Sequence, residues 1–179
     1  TNGGDSSDVS SELSSDVNTI NSTYGAFAAI KKNDGSVVTW GDSSYGGDSS
    51  SVSSELSSDV NTIYSNYYTF AALKDDGSVV TWGNSSYGGD SSSVDLTSGV
   101  NAIYPNAYAF AALKSNNSVV TWGGSLYGGN SSSVAGDLTN VEKIYSTEVA
   151  FAALKNDNSV VAWGLSSYGG DSSGVDLSS

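Results

Sequence analysis

The 179-residue chain carries six Lys, no Arg and nineteen carboxylates, and its net charge of −13 argues against nucleic acid and anionic membrane as partners. It has no Cys and no His, which rules out disulfides, the usual zinc, iron and copper ligand sets, and an imidazole base for a serine nucleophile. The length suits one domain, Ser is the commonest residue at 39, and no run of about 18 apolar residues offers a membrane-spanning helix.

The chain opens on Gly3-Gly4-Asp5-Ser6-Ser7, a phrase that returns as Gly46-Gly47-Asp48-Ser49-Ser50 and reads as the tail of a preceding repeat over residues 1–8. Four units then fill 9–174, at about 9–51, 52–93, 94–133 and 134–174, and 175–179 read as the start of a further repeat because Val175-Asp176-Leu177 matches Val94-Asp95-Leu96. The tryptophans at 40, 82, 122 and 163 set the period, which lies in the range of solenoids, propellers and other arrays.

Each unit begins with a Val and a Leu in a Ser-rich setting of variable length, such as Val52 and Leu56, as expected of a loop or short turn. A first strand follows, read from Val17 to Ile20, Val60 to Ile63, Val100 to Ile103 and Val141 to Ile144. The second strand, Phe70-Ala-Ala-Leu73 in unit two, is apolar at every position and is expected at the centre of a sheet covered on both faces. The third places Val80 and Trp82 on one face and Val79 and Thr81 on the other. Between the second and third strands stand Gly35, Gly77, Asn117 and Asn158, the residue types that tolerate a positive φ most cheaply, so a tight hairpin is predicted in every unit. After each Trp-Gly a Ser-rich link leads to Tyr45, Tyr87, Tyr127 and Tyr168, each followed by Gly-Gly; the Tyr is read as a packing anchor and the Gly pair as a close-approach turn.

Ala72-Leu73-Lys-Asp-Asp-Gly77-Ser-Val79-Val-Thr-Trp82-Gly83, preceded by Val60-Asn-Thr-Ile63, resembles the repeat of the regulator of chromosome condensation family. The resemblance covers all four units and implies a β-propeller, usually of seven blades. The units here are shorter. The family's Gly-x-x-His gives way to Asn66-Tyr67-Tyr68-Thr69, and its Gly-Gln-Leu-Gly to Tyr87-Gly88-Gly89-Asp90. No functional residue of the family maps onto this chain, and the charge is wrong for chromatin, so exchange-factor and chromatin activities are not carried over. The expected fold is all-β: four tandem repeats of three to four antiparallel strands, either propeller-like or packed pairwise into a tent-like domain.

The Gly-Asp-Ser-Ser copies lack a base, and the four Glu at 12, 55, 142 and 148 share no catalytic context, so no enzyme is expected. Asp48, Asp90 and Asp171 recur in Gly-Gly-Asp-Ser-Ser loops, with Asn130 in the remaining copy. They read first as turn caps and second as calcium ligands, calcium being the one cofactor considered. The loops between the first and second strands vary on a constant scaffold, which is where repeat proteins place recognition. Their candidate ligand-binding residues are Tyr24, Tyr67, Tyr68, Tyr108 and Glu148, since Tyr among small polar neighbours gives rigid amphipathic contact area. The expected role is a non-enzymatic binding or adhesion module of a larger secreted, cell-surface or viral protein, with carbohydrate or a protein surface as partner. The alternative is a structural spacer.

Overall fold

The computed structural model describes residues 3–172, so the Val175–Leu177 match lies outside the described residues. Twelve strands form four antiparallel three-stranded meanders. They are β1 (Val17–Ser22), β2 (Ala26–Lys31) and β3 (Val37–Gly41) in unit one, and β4 (Val60–Ser65), β5 (Thr69–Lys74) and β6 (Val79–Gly83) in unit two. Unit three has β7 (Val100–Pro105), β8 (Ala109–Lys114) and β9 (Val119–Gly123); unit four has β10 (Val141–Ser146), β11 (Ala150–Lys155) and β12 (Val160–Gly164). The fold is all-β, as expected, and the middle strand of each sheet is the Phe-Ala-Ala strand.

The hairpin turns show why Gly or Asn is required. Lys74 N–H donates to Ser78 O at 2.9 Å and Gly77 N–H to Lys74 O at 3.0 Å, leaving Asp75, Asp76 and Gly77 as the loop. The last loop residue is left-handed in every unit: φ is +68° at Gly35, +77° at Gly77, +62° at Asn117 and +67° at Asn158. A second left-handed column escaped the sequence reading. Asp16, Asp59, Gly99 and Asn140, directly before the first strand of each unit, have φ from +55° to +70°. Each first strand then carries a bulge, as between Val60 and Thr62, which bends it as it enters the sheet.

The units stack in series. Across the first joint Ala28 and Ile30 of β2 pack against Ile63, Phe70 and Trp82 of unit two. Across the second, Ala71 and Leu73 meet Ile103, Phe110 and Trp122; across the third, Ala111 and Leu113 meet Ile144, Phe151 and Trp163. Small residues on the outgoing face admit large ones from the incoming face, and each buried Leu, Ile or Phe contributes roughly 1.5–3 kcal/mol. Backbone bonds fix the register: Val60 N–H donates to Gly35 O at 3.1 Å, and Val100 and Val141 donate to Gly77 and Asn117 at 2.9 Å. Among the described residues, no comparable strand packing joins unit four to unit one. The array is therefore an open run of propeller-like units, neither a closed ring nor pairs of sheets set back to back.

The four tryptophans recur at equivalent sequence positions but are not equally buried. Trp82, Trp122 and Trp163 are each 2% exposed, but Trp40 is only half-buried, since among the described residues no further unit packs against that face of unit one. The Tyr-Gly-Gly phrase supplies the rest of the tryptophan pocket. Gly46 (φ +92°) lies so close to the next unit that an added Cβ would stand 2.7 Å from the Phe70 ring, and Trp82 Nε1 donates to Gly46 O at 3.0 Å. Trp163 repeats this bond with Gly128.

Candidate functional site

The variable loops between first and second strands are joined edge to edge by backbone bonds. Tyr24 N–H donates to Tyr67 O, Tyr67 N–H to Ala107 O, and Ala107 N–H to Glu148 O, at 3.0, 3.2 and 3.0 Å. Tyr24, Tyr67, Ala107 and Glu148 are thus structurally equivalent positions in a row that crosses all four units. Side chains reinforce it, with Asn21 Nδ2 donating to Ile63 O at 2.9 Å and Ser65 Oγ to Ser22 O at 2.8 Å.

A cavity of about 510 Å³ lies along this row. Tyr24, Tyr67 and Glu148 line it together with Ser22, Ser65 and Asn106. Tyr24 is 80% and Tyr67 46% exposed, so both rings present free surface. The Glu148 carboxylate is also exposed. Tyr68 and Tyr108 do not line the cavity. They are half-buried in a second feature, a run of adjoining rings, some stacked and some tilted, that passes from Tyr24 through Tyr45, Tyr68, Tyr87 and Tyr108 to Tyr127. Centroid separations of 4.4 to 5.6 Å put successive rings in contact. Tyr67 links the two features, with its ring edge-on to Tyr108 at 5.8 Å. Burial pushes the Tyr68 and Tyr108 phenols above their ordinary pKa, and the neighbouring phenols add to the shift.

The residue before each row position was not singled out from sequence, yet it holds the loop in place. Asn106 is 7% exposed; its Nδ2 donates to Tyr127 O at 2.7 Å, and its Oδ1 accepts from Tyr108 N–H and Ala109 N–H at 2.9 and 2.8 Å. Asn66 does the same with Tyr87 O and Tyr68 N–H. Thr23 replaces Asn in unit one, with Oγ1 donating to Tyr45 O at 2.9 Å. The alignment Thr23, Asn66, Asn106, Thr147 was available as a signal: short side chains that both donate and accept.

The candidate metal residues lie elsewhere. Asp48 Oδ1 accepts from Ser50 N–H and Asp90 Oδ1 from Ser92 N–H, each at 2.9 Å, and these bonds hold both carboxyls below the usual range. Asp171 is exposed at the corresponding place in unit four. The three acids sit one per unit, and among the described residues no three His, Cys, Asp or Glu side chains converge as a metal site would require.

Comparison with known proteins agrees with the geometry. The model of the regulator of chromosome condensation (RCC1) repeat matches residues 60–88, from β4 through the Tyr-Gly of unit two. No curated protein sequence matches the chain. Among solved structures it is similar to Prp20p from Saccharomyces cerevisiae, at a TM-score of 0.58 and 14% identity, over 84% of this chain and 46% of that one. It is also similar to the CRINKLY WD40 ectodomain of the Arabidopsis thaliana receptor kinase ACR4, at 0.54 and 18% over 83% and 50%. Human WBSCR16 aligns at 0.53 and 16% over 83% and 47%. The chain spans about half the length of these structures, and at such identities the likeness is one of fold. The four units are tandem β repeats that resemble the regulator of chromosome condensation repeat, in a shorter form.

Proposed function

We propose that the chain is a non-catalytic recognition module that binds a protein surface through the row of loops, taking a basic side chain of the partner into the cavity between Tyr24, Tyr67 and Glu148. The observation that carries this reading is the convergence of two exposed tyrosine rings and a carboxylate on one cavity. Aromatic faces attract an ammonium or guanidinium group and a carboxylate pairs with it. The net charge of −13 draws a basic partner to the surface. A protein partner also accords with Prp20p, which is described by its binding to Gsp1p and histones. Carbohydrate is the second reading, favoured by the Ser and Asn side chains beside the rings. In either case we place the chain within a larger secreted, cell-surface or virion protein, where an array of loops is presented outward.

The test sets arrays of Lys- and Arg-containing peptides beside a glycan array, using the unaltered chain and a Tyr24→Ser, Tyr67→Ser variant. Binding to basic peptides that weakens with salt and is lost in the variant, with melting unchanged, supports the protein reading. Salt-independent glycan binding lost in the same variant transfers the site to carbohydrate. Absence of binding to both arrays leaves the chain a spacer.

A further inference from the structure

The two edges of each sheet are built differently. The first strands β1, β4, β7 and β10 all carry a bulge; β7 also ends on Pro105, and β10 contains Glu142 and Lys143. Bulges, Pro and charge are the devices that keep a sheet edge from pairing with another chain. The opposite edges, β6 and β9, read Val-Val-Thr-Trp-Gly, with no charge, no Pro and an unbroken register.

The edge of unit three, which lies between units two and four, has backbone groups to spare. Lys114 N–H donates to Ser118 O at 2.9 Å, and bonded and non-bonded pairs alternate from there along β8 and β9. Thr121, opposite Ala111, falls in a non-bonded pair, so its N–H and C=O point away from β8. Val119 points the same way and donates its N–H to Leu138 O at 3.2 Å. Beyond that rung, Val119 O and the N–H and C=O of Thr121 have no hydrogen-bond partner among the described residues. Thr121 is nevertheless only 7% exposed. It forms the floor of a cavity of about 390 Å³, with Val94 on one side and Asn130 and Ser131 on the other. Backbone groups so sheltered are costly to leave unpaired. Unit two repeats the arrangement: Val79 N–H donates to Leu96 O at 2.9 Å, and Thr81 is 9% exposed.

We propose that the outer edge of β9 is a peptide site, which takes a short extended segment of a partner protein as a fourth strand. The site is separate from the row of loops and does not depend on what that row binds. Its occupant is a single extended chain and not the folded edge of a second copy, because the free stretch runs only from Val119 to Thr121. The Leu138 rung bounds it at one end, and at the other Gly129 packs on Gly123 with no room for a Cβ. The segment's residue opposite Thr121 exchanges two backbone bonds with it. Its side chain lies on the face where Thr121 Oγ1 stands 3.1 Å from Gly129 O and 3.0 Å from Ser131 Oγ, which suits Ser. The residues on either side of it turn to the other face, where Val94 and Val120 pack on one cluster, which suits Val. The net charge of −13 favours Lys at the flanks.

The test titrates the full chain with the capped pentapeptide Lys-Val-Ser-Val-Lys, with its form N-methylated at Ser, and with its form N-methylated at both Val. Binding is expected with a Kd of about 1 mM or below, with amide exchange at Thr121 slowed about tenfold or more at saturation. Methylation at Ser removes the N–H that faces Thr121 O and is expected to weaken binding about tenfold or more, whereas methylation at Val, whose N–H groups point away from β9, leaves it within about twofold. Absence of binding would overturn the proposal, as would equal effects of the two methylations. Binding that shifts Tyr67 and leaves Thr121 exchange unchanged would assign the peptide to the loop row and overturn the edge site. Thr121 protection that rises with chain concentration in the absence of peptide would replace the peptide by a second copy.

Discussion

Tyr24 N–H donates to Tyr67 O at 3.0 Å, so the backbone of one variable loop is the template for the next. Sequence variation at these positions changes what the row displays, namely Tyr, Tyr, Ala and Glu, without changing where it is displayed. A rigid row of this kind lets several weak contacts act together.

The row depends on its buried polar supports. Asn106→Ala removes three hydrogen bonds and leaves Tyr127 O and two backbone N–H groups without their partner. The expected cost is about 1–3 kcal/mol in denaturant titrations. Asn106→Thr is expected to recover part of it, because Thr23 makes the equivalent contact in unit one.

The hairpin columns make a sharper contrast. Gly77 sits at φ +77°, and an added Cβ would stand 3.0 Å from Gly99 N. Gly77→Val is expected to cost on the order of 1–2 kcal/mol. Gly77→Asn should cost much less, since Asn117 and Asn158 hold the same conformation two and three sheets along the series from unit one. Equal losses of melting temperature for the two variants would contradict the turn argument.

Trp82→Ala is expected to cost about 3–5 kcal/mol, because the indole is buried and bonded across the first joint. Trp40→Ala should cost less, about 1–2 kcal/mol, since that ring is only half-buried. Equal costs would mean that unit one has a packing neighbour in solution.

The tyrosine run predicts a response to alkali. Burial raises the pKa of Tyr68, Tyr108 and Tyr64 in the folded chain above the unfolded value of about 10. A raised folded value means that the stability contributed by the neutral phenol is fully present below about pH 10 and is lost as pH rises through the folded value. Absorbance titration should show late-ionising tyrosines, with melting temperature falling over the same interval. Uniform ionisation of all eleven tyrosines with no loss of stability would contradict the stacked arrangement.

The hairpins, the central Phe-Ala-Ala strands and the buried tryptophans were legible in the sequence because each rests on local chemistry repeated at a fixed period. Gly35 and Asn158 state their φ by residue type, and Trp82 states its burial by recurring beside Val80. Contacts made between units were less visible. Tyr45 and Tyr68 stack at 5.4 Å only because one unit's tail reaches the next unit's loop. Lys114, which donates to Asp95 O and Ser98 O at 2.9 and 2.7 Å, fastens the Ser-rich loop of its own unit, as Lys31 does with Glu12 O and Ser15 O. Nothing in Ala-Leu-Lys marks that role. The choice between an open run, a ring and paired sheets rests on the geometry of the joints, which residue pattern alone does not specify.

Recognition on the row of loops is open to backbone amide shift mapping during titration with a binding Lys-containing peptide. Perturbations are expected only at Ser22, Tyr24, Ser65, Tyr67, Asn106 and Glu148 and their immediate neighbours, since these residues line the cavity. Perturbations centred instead on the Gly-Gly-Asp loops around Asp48 and Asp90, with the loop row silent, would contradict it.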